Sequence, residues 1–114
     1  WSQLPHFDWR QKLFNGKSCV HAIRDQGSCG SCWSFGTSEF LSDRLCIDSN
    51  GKEDIVLSPQ FLVDCDLETY PSGETGGCAG AMTQYVVNWI AKNGIVSDQC
   101  YPYISGTSRD KGEC

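Results

Sequence analysis

The sequence lacks the features that mark membrane spans and nucleic-acid-binding surfaces. None of its apolar runs approaches the roughly 18 residues that a membrane-spanning helix requires. Positive charge is scarce, since 9 Lys and Arg stand against 14 Asp and Glu and the formal net charge is −5. Phosphate binding favours clustered Lys and Arg, and no run of five like charges occurs here. We therefore expect neither a membrane nor a nucleic acid as partner, and interpret the acidic balance as a solvated surface.

Histidine is also scarce, with only His6 and His21 in the chain, whereas cysteine is abundant. The eight cysteines span most of the sequence, at positions 19, 29, 32, 46, 65, 78, 100 and 114. This distribution is typical of a disulfide framework formed in an oxidising compartment. A structural zinc domain is the competing interpretation, but zinc ribbons usually repeat a Cys-x-x-Cys pair and this chain has a single one. We expect disulfides and no metal.

The stretch SCWSFGTSEFLSDRLCID predicts a first helix that starts at Ser31, a candidate N-cap. Its apolar residues occupy more than one face, and Glu39, Ser42 and Asp43 form only a narrow polar stripe. Such a pattern predicts a mostly buried helix.

Two further helices follow. In LSPQFLVDC, Ser58 suits the N-cap and Pro59 the first helical position, where its missing N–H costs nothing. A third helix is predicted from about Gly80 to Lys92, with Gly94 as its stop. One apolar stripe at helical spacing marks it: Met82, Val86, Trp89 and Ile90.

The remaining segments are predicted to be loops. Residues 1–27 form an extended lead-in with turns, of which Asn15-Gly16 is the clearest. A turn-rich loop covers 66–79, and the tail from Cys100 has no clear period. Because no strong alternating strand pattern occurs, we predict a mostly helical domain with long loops and disulfides. The opening WSQLPHFDWR has neither an initiator Met nor an apolar signal core, so we expect any signal or pro-segment to lie outside this sequence.

The segment GSCGSCW carries the chemistry. A thioredoxin-type redox pair is disfavoured. In thioredoxin-type sites a Trp precedes the first cysteine and the motif follows a strand, whereas here Trp33 follows the second cysteine and the preceding residues include Gln26 and Gly27. A nucleophile explains more residues: Cys32 in the first helical turn lies at the positive end of the helix dipole, which favours thiolate. Unpaired backbone N–H groups there can bind a developing oxyanion, and the Gln26 amide could complete that hole.

The eight residues QGSCGSCW resemble the active-site segment of papain-family cysteine proteases. The wider stretch IRDQGSCGSCWSFG…SDRLCI is similar to cathepsin B-like members of that family. LSPQFLVDCD, GGCAGA and CYPY match further family segments in the same order. The resemblance covers nearly all of residues 19–114.

This resemblance implies specific site residues. Cys32 would attack a peptide carbonyl to form a thioester, with Gln26 and the Cys32 backbone N–H holding the oxyanion. The substrate-binding set would be Gly30, Ser31, Gly80, Ala81, Met82 and Thr83. Two expectations stay open within this set. The family usually has a second glycine where this chain has Ala81, and Met82 also belongs to the predicted helix stripe, so it could be a core residue.

The resemblance also implies three disulfides: Cys19–Cys46, Cys29–Cys78 and Cys65–Cys114. With Cys32 as the catalytic thiol, Cys100 is left over. By analogy with cathepsin B, its partner would lie just beyond Cys114.

A nucleophilic thiol of this kind needs a histidine base with an orienting partner. In the family, the His and Asn lie about 130–150 residues after the Cys, and neither His6 nor His21 occupies that position. The resemblance therefore implies an α+β papain-like cysteine proteinase fold, of which residues 1–114 are the mostly helical left lobe. This lobe is incomplete as a catalytic unit, and its partner would be a β-rich C-terminal lobe bearing His and Asn.

We predict a cysteine-type peptidase that acts on polypeptides without a cofactor, in a lysosomal, endosomal or secreted setting. Cathepsin B carries an insertion with two His that bind a substrate carboxylate, and no His occurs between Cys100 and Cys114. This favours endopeptidase action. The alternative is a non-catalytic binding or inhibitory module on the same fold, although such a module needs neither Cys32 nor Gln26.

Overall fold

The computed structural model describes residues 5–66 and 76–114. Most of the loop predicted for 66–79 lies outside the described residues. Four helices and one two-stranded sheet form in the described part of the chain. In chain order they are β1 (Leu13–Phe14), β2 (Lys17–Ser18), α1 (Cys32–Asp48), α2 (Pro59–Cys65), α3 (Thr83–Asn93) and α4 (Ser105–Ser108).

Strands β1 and β2 form an antiparallel hairpin. Asn15 and Gly16 connect them with φ angles of 50° and 80°. Two central residues with positive φ define the type I′ turn, whose twist matches that of the paired strands. The turn predicted at Asn15-Gly16 is confirmed, and it closes a hairpin where only an extended lead-in was expected.

Helix α1 covers the predicted stretch, but the prediction of its buried face is wrong. Phe40 is 43% exposed, whereas Ser42, assigned to the polar stripe, is 1% exposed. Apart from two aromatic residues, the buried face consists of small side chains: Trp33, Ser34, Phe35, Thr37, Ser38, Ser42 and Cys46. The hydroxyls explain this, because each donates to a carbonyl three or four residues earlier, as Ser42 Oγ does to Ser38 O at 2.6 Å.

Helix α2 begins as predicted, since the Ser58 side chain accepts a hydrogen bond from Phe61 N and Pro59 occupies the first turn. Helix α3 begins three residues later than predicted, at Thr83. Its predicted stop is confirmed: Gly94 has a φ of +79° and its N–H donates to Ile90 O. Helix α4 lies in a tail for which only a loop was predicted.

The core lies where α1, α2 and α3 pack together. Its buried cluster is Trp33, Leu62, Val63 and Val86. Partly buried residues pack against this cluster, chiefly from α3 and its flanks: Ala81, Trp89, Ile90 and Ile95. Trp89 and Ile90 thus confirm the predicted stripe of α3, whereas Met82 is 48% exposed and precedes the helix.

Three disulfides connect the elements, and they are the pairs that the resemblance implies: Cys19–Cys46, Cys29–Cys78 and Cys65–Cys114. Cys32 and Cys100 are the two free cysteines of the described chain, and both are exposed. Six oxidised cysteines cannot ligate zinc, and residues 5–66 and 76–114 contain no group of three metal-ligating side chains. Within the same ranges, every helix is too short or too polar to cross a bilayer.

Candidate active site

Cys32 is the first residue of α1, and its thiol is free and exposed. The next residue, Trp33, is 2% exposed, and its indole Nε1 donates to Gly77 O at 3.1 Å. The backbone N–H groups of a first helical turn have no acceptor within the helix, and the helix dipole places positive potential there. The structure therefore places an exposed thiol beside the N–H groups of Cys32 and Trp33, on a helix end that the buried Trp33 holds in place.

Residues 76–80 lie directly against the segment that precedes Cys32. The Cys29–Cys78 disulfide joins the two, Gly30 N donates to Cys78 O at 3.0 Å, and Gly30 pairs with Ala79 in a parallel bridge. A side chain at Gly30 would collide with the Cys78 carbonyl, so this approach requires glycine. The structure thus brings the start of one candidate substrate-binding segment beside the nucleophile's loop.

Gln26 lies in that same loop. Its side-chain Nε2 donates to Cys29 O at 3.0 Å, and a primary amide carries a second N–H that can donate elsewhere. Gly27, with a φ of +62°, turns the chain immediately after it. Gln26 and Cys32 therefore belong to one short, folded segment in which the amide is held by a main-chain bond.

Ser31 occupies the N-cap position of α1, but the predicted capping bond is absent. Its φ and ψ of −105° and 18° depart from the extended geometry in which a capping side chain reaches the helix N–H groups. The fully buried Ser31 Oγ instead lies 2.7 Å from the Tyr103 hydroxyl. Ser31 thus links the helix start to the C-terminal tail.

The remaining candidate substrate-binding residues lie just before and at the start of α3. Gly80 adopts a φ of +99°, a conformation that favours glycine. Ala81, which replaces the expected glycine, packs against the core cluster. Met82 and Thr83 are exposed, so the interpretation of Met82 as a core residue is wrong. Thr83 also lines a cavity of about 340 Å³ between α1 and α3, together with Gly36, Thr37, Phe40, Gln84 and Val87.

His21 is engaged by carboxylates at both ring nitrogens. Nδ1 lies 2.6 Å from Asp43 Oδ1, and Nε2 lies 2.8 Å from Asp54 Oδ1. Burial lowers the pKa of His21, but the hydrogen bonds to Asp43 and then to Asp54 outweigh it, so the pKa is raised. Asp43 lies three helical turns beyond Cys32 on α1, about 16 Å along its axis. His21 is therefore a structural ion-pair partner and not a base for Cys32.

One residue at this site was not singled out from the sequence. The Tyr103 hydroxyl donates to Gln26 O at 2.6 Å, and the Tyr103 ring packs edge-on against Phe35 with centroids 4.7 Å apart. These contacts span more than 65 positions of the chain, so no local pattern could indicate them. The only signal was the CYPY segment, which matched the family without an assigned role.

Comparisons with known proteins agree with this geometry. A model of the papain family cysteine proteases matches residues 4–114. "Cathepsin B" of Dictyostelium discoideum is 43% identical over 89% of this chain and 30% of its own length. "Cathepsin B-like CP3" of Giardia intestinalis is 34% identical over 99% of this chain and 35% of its own. The chain thus spans about a third of the length of these curated relatives.

Solved structures show the same fold. A Carica candamarcensis cysteine protease in complex with E-64 matches with a TM-score of 0.69 and 34% identity, over 93% of this chain and 46% of that one. The proform of the ragweed pollen protease Amb a 11 matches with the same TM-score and 32% identity, over 84% of this chain and 26% of that one. The mostly helical, three-disulfide architecture is that of the N-terminal lobe of these proteins. The chain belongs to the papain family of cysteine proteases and is similar to its cathepsin B-like members.

Proposed function

We propose that this chain supplies the nucleophile and the oxyanion-binding half of a cysteine peptidase. The observation that carries the proposal is the position of Cys32: a free, exposed thiol at the first residue of α1, in a chain that belongs to a family of cysteine proteases. The neighbouring Cys29 is bonded to Cys78, so Cys32 is the thiol that remains free beside the Gln26 loop.

The proposed reaction is acyl transfer to sulfur. The Cys32 thiolate attacks a peptide carbonyl carbon, and the carbonyl oxygen becomes an oxyanion bound by the Cys32 backbone N–H and the Gln26 amide. The C–N bond then breaks as a histidine imidazolium protonates the leaving amine, which leaves a thioester. Water, deprotonated by the same histidine, hydrolyses the thioester and regenerates the thiol.

The base must come from outside residues 1–114. His21 is held by two carboxylates beside the far half of α1, and His6 lies in the exposed N-terminal segment. We therefore propose that residues 1–114 form the left lobe, and that a C-terminal lobe bearing His and Asn completes the site. Cys100 is exposed and free, and it could join the two lobes by pairing with a cysteine just beyond Cys114.

The proposed substrate is an extended polypeptide. Its backbone would lie along Gly80 and Ala81, and Met82 and Thr83 would line the pocket for the second residue before the cut, with Gly30 and Ser31 nearest the scissile bond. Endopeptidase cleavage is proposed because residues 100–114 contain no histidine to bind a substrate's terminal carboxylate. Three disulfides support a lysosomal, endosomal or secreted location, since such bonds persist in oxidising compartments.

The test is selective labelling of the Cys32 thiol. The protein that joins residues 1–114 to the completing lobe is treated with E-64, the compound bound in the Carica structure, and its intact mass and labelled peptide are determined. We expect one equivalent of label, located at Cys32, and none in a Cys32→Ser variant. Failure of the folded protein to react, or equal labelling of Cys32 and any other cysteine, would reject an activated nucleophile and leave the non-catalytic module as the explanation.

A further inference from the structure

The Tyr103 hydroxyl lies between two residues that precede Cys32. It donates to the Gln26 carbonyl at 2.6 Å and lies 2.7 Å from Ser31 Oγ. A tyrosine hydroxyl has one hydrogen, so donation to Gln26 leaves its oxygen to accept from Ser31. One side chain thereby connects the candidate oxyanion loop with the residue immediately before the nucleophile.

A backbone contact next to Tyr103 supports the same loop. Ser28 N donates to Gly106 O at 2.9 Å. A Cβ built on Gly27 would lie 2.7 Å from Gly106 Cα, and one built on Gly106 would lie 2.9 Å from Gln26 O. The two main chains therefore touch directly, and only glycines permit so close an approach.

The supporting segment is itself anchored to α2 through Gln60, which is fully buried. Gln60 Oε1 accepts from Ile104 N and Ser105 N at 2.8 and 3.0 Å, and Nε2 donates to Ser105 Oγ at 2.7 Å and Asp64 Oδ1 at 2.8 Å. These four bonds use the full capacity of the amide. Residues 103–106 are thus fixed to the core on one side and to the Gln26 loop on the other.

We propose that Tyr103 is a positioning residue for the oxyanion-binding loop: its hydroxyl holds Gln26 in register with the Cys32 backbone N–H. The inference rests on the proposed function of Cys32 and Gln26. An oxyanion hole acts through donors whose positions are fixed before the reaction, so a small displacement of one donor weakens catalysis. Tyr103 touches neither substrate nor reacting atoms in this proposal and acts only through Gln26 and Ser31.

The test compares Tyr103→Phe with Tyr101→Phe in the protein that carries the completing lobe. Tyr101 is a matched control, because its hydroxyl also has two polar partners: its single hydrogen is shared between Asp64 Oδ2 at 2.9 Å and Glu113 O at 3.0 Å, away from the Gln26 loop. Two reactions are measured per titrated active site. Hydrolysis of a peptide amide forms an oxyanion, whereas alkylation of Cys32 by iodoacetamide displaces iodide without one.

In Tyr103→Phe we expect kcat for the amide to fall about 10-fold, with KM little changed. Direct removal of an oxyanion donor costs about 100- to 1000-fold, and an indirect displacement should cost less. The alkylation rate should stay within about two-fold, since that step needs no oxyanion donor. Tyr101→Phe should change neither rate.

Equal amide hydrolysis in the two variants would overturn the inference, and so would a parallel fall of hydrolysis and alkylation in Tyr103→Phe. If Tyr103→Phe does not fold, Ser31→Ala decides the question: the Ser31 hydroxyl is fully buried against Tyr103 and cannot touch substrate, so its removal deletes one of the two bonds and should also lower kcat selectively. An unchanged kcat in that variant would overturn the inference. A wild-type protein that folds but cleaves no peptide would reject the proposed function itself.

Discussion

Cys32 and Cys100 are the two free thiols of the described chain, and both are exposed, yet they occupy opposite kinds of environment. Cys32 begins a 17-residue helix, and its own N–H and that of Trp33 have no helical acceptor, whereas the next two N–H groups donate to Ser31 O. Cys100 ends a tight turn, and its own N–H is already bonded to the Ser97 carbonyl and hydroxyl. Exposure therefore does not separate the two thiols, and they differ in the backbone N–H donors that are left free beside the sulfur.

The surroundings of the two thiols differ in the same sense. The segment before Cys32 is held by a disulfide to Cys78, by the Gly30–Cys78 backbone bond and by Tyr103. The nearest disulfide to Cys100 in the tail, at Cys114, instead ties the chain end to α2. The segment before Cys32 is therefore held by more contacts than the chain around Cys100, as the proposed catalytic role of Cys32 requires.

The largest expected effect is loss of the nucleophile. Cys32→Ser should lower kcat/KM for a peptide substrate by about four to six orders of magnitude, as removal of a catalytic nucleophile does in other proteases. Cys100→Ser should leave kcat/KM per folded molecule unchanged. Steady-state kinetics on both purified variants checks this, and a Cys32→Ser enzyme that retained a tenth of the activity would end the distinction between the two thiols.

The second largest effect is expected from removing the disulfide near each of the two thiols. Cys29–Cys78 and Cys65–Cys114 both close a sequence separation of 49, so the chain-entropy contribution of each is about 4 kcal/mol. Double Ala variants of the two pairs should lower the free energy of unfolding by similar amounts in urea titrations. Only the Cys29/Cys78 variant should also lose peptide cleavage per folded molecule. Of the two disulfides, that one alone joins residues 76–80 to the segment before Cys32. Equal activity losses would mean that the bonds serve stability alone.

The smallest expected effect concerns pH. Burial lowers the pKa of His21 but its hydrogen bonds to Asp43 and Asp54 outweigh this and raise it, and burial raises the pKa of Glu39, which lies on α1 with Asp43. A raised folded pKa means that stability is fully present below the unfolded pKa, 6.5 for histidine, and is lost as pH rises through the folded value. The unfolding free energy should therefore fall as pH rises above 6.5, and less so in His21→Gln.

Glu39→Gln is the matched variant for this measurement. It removes the contribution of Glu39, which is present below pH 4.5 and is lost as pH rises through the raised pKa of that carboxyl. Neither variant should alter the rate of Cys32 alkylation at constant pH, because Glu39 lies two helical turns beyond Cys32 on α1 and His21 is bonded to Asp43, three turns beyond it. A changed alkylation rate in His21→Gln would show that this histidine acts on the Cys32 thiol after all.

Local signals in the sequence predicted much of this structure. The Ser58–Pro59 helix start, the Asn15-Gly16 turn and the Gly94 stop are each decided within a few residues, and all three are confirmed. The position of Cys32 at a helix start belongs to the same class. Such features depend on backbone conformation and hydrogen bonds that a short peptide already contains.

The features that were missed depend on distant partners. Ser31 was expected to cap α1, but the Tyr103 hydroxyl, 72 positions away, takes its side chain. Ser42 was placed on the polar face, but it is buried and accepts from Leu57 N. Helix α4 forms where Gln60 accepts the N–H groups of Ile104 and Ser105. The periodicity of a sequence cannot reveal hydrogen bonds between residues that are this far apart along the chain.

The bond between Tyr103 and Gln26, 77 positions apart, also has a consequence for the order in which the protein is made. A chain grows at about 5–20 residues per second, so the ribosome adds residue 103 about 4 to 15 s after residue 26. During that interval the Cys32 thiol has been synthesised but the Gln26 loop has no support from the tail. Translation itself therefore delays assembly of the proposed site until most of residues 1–114 have been made.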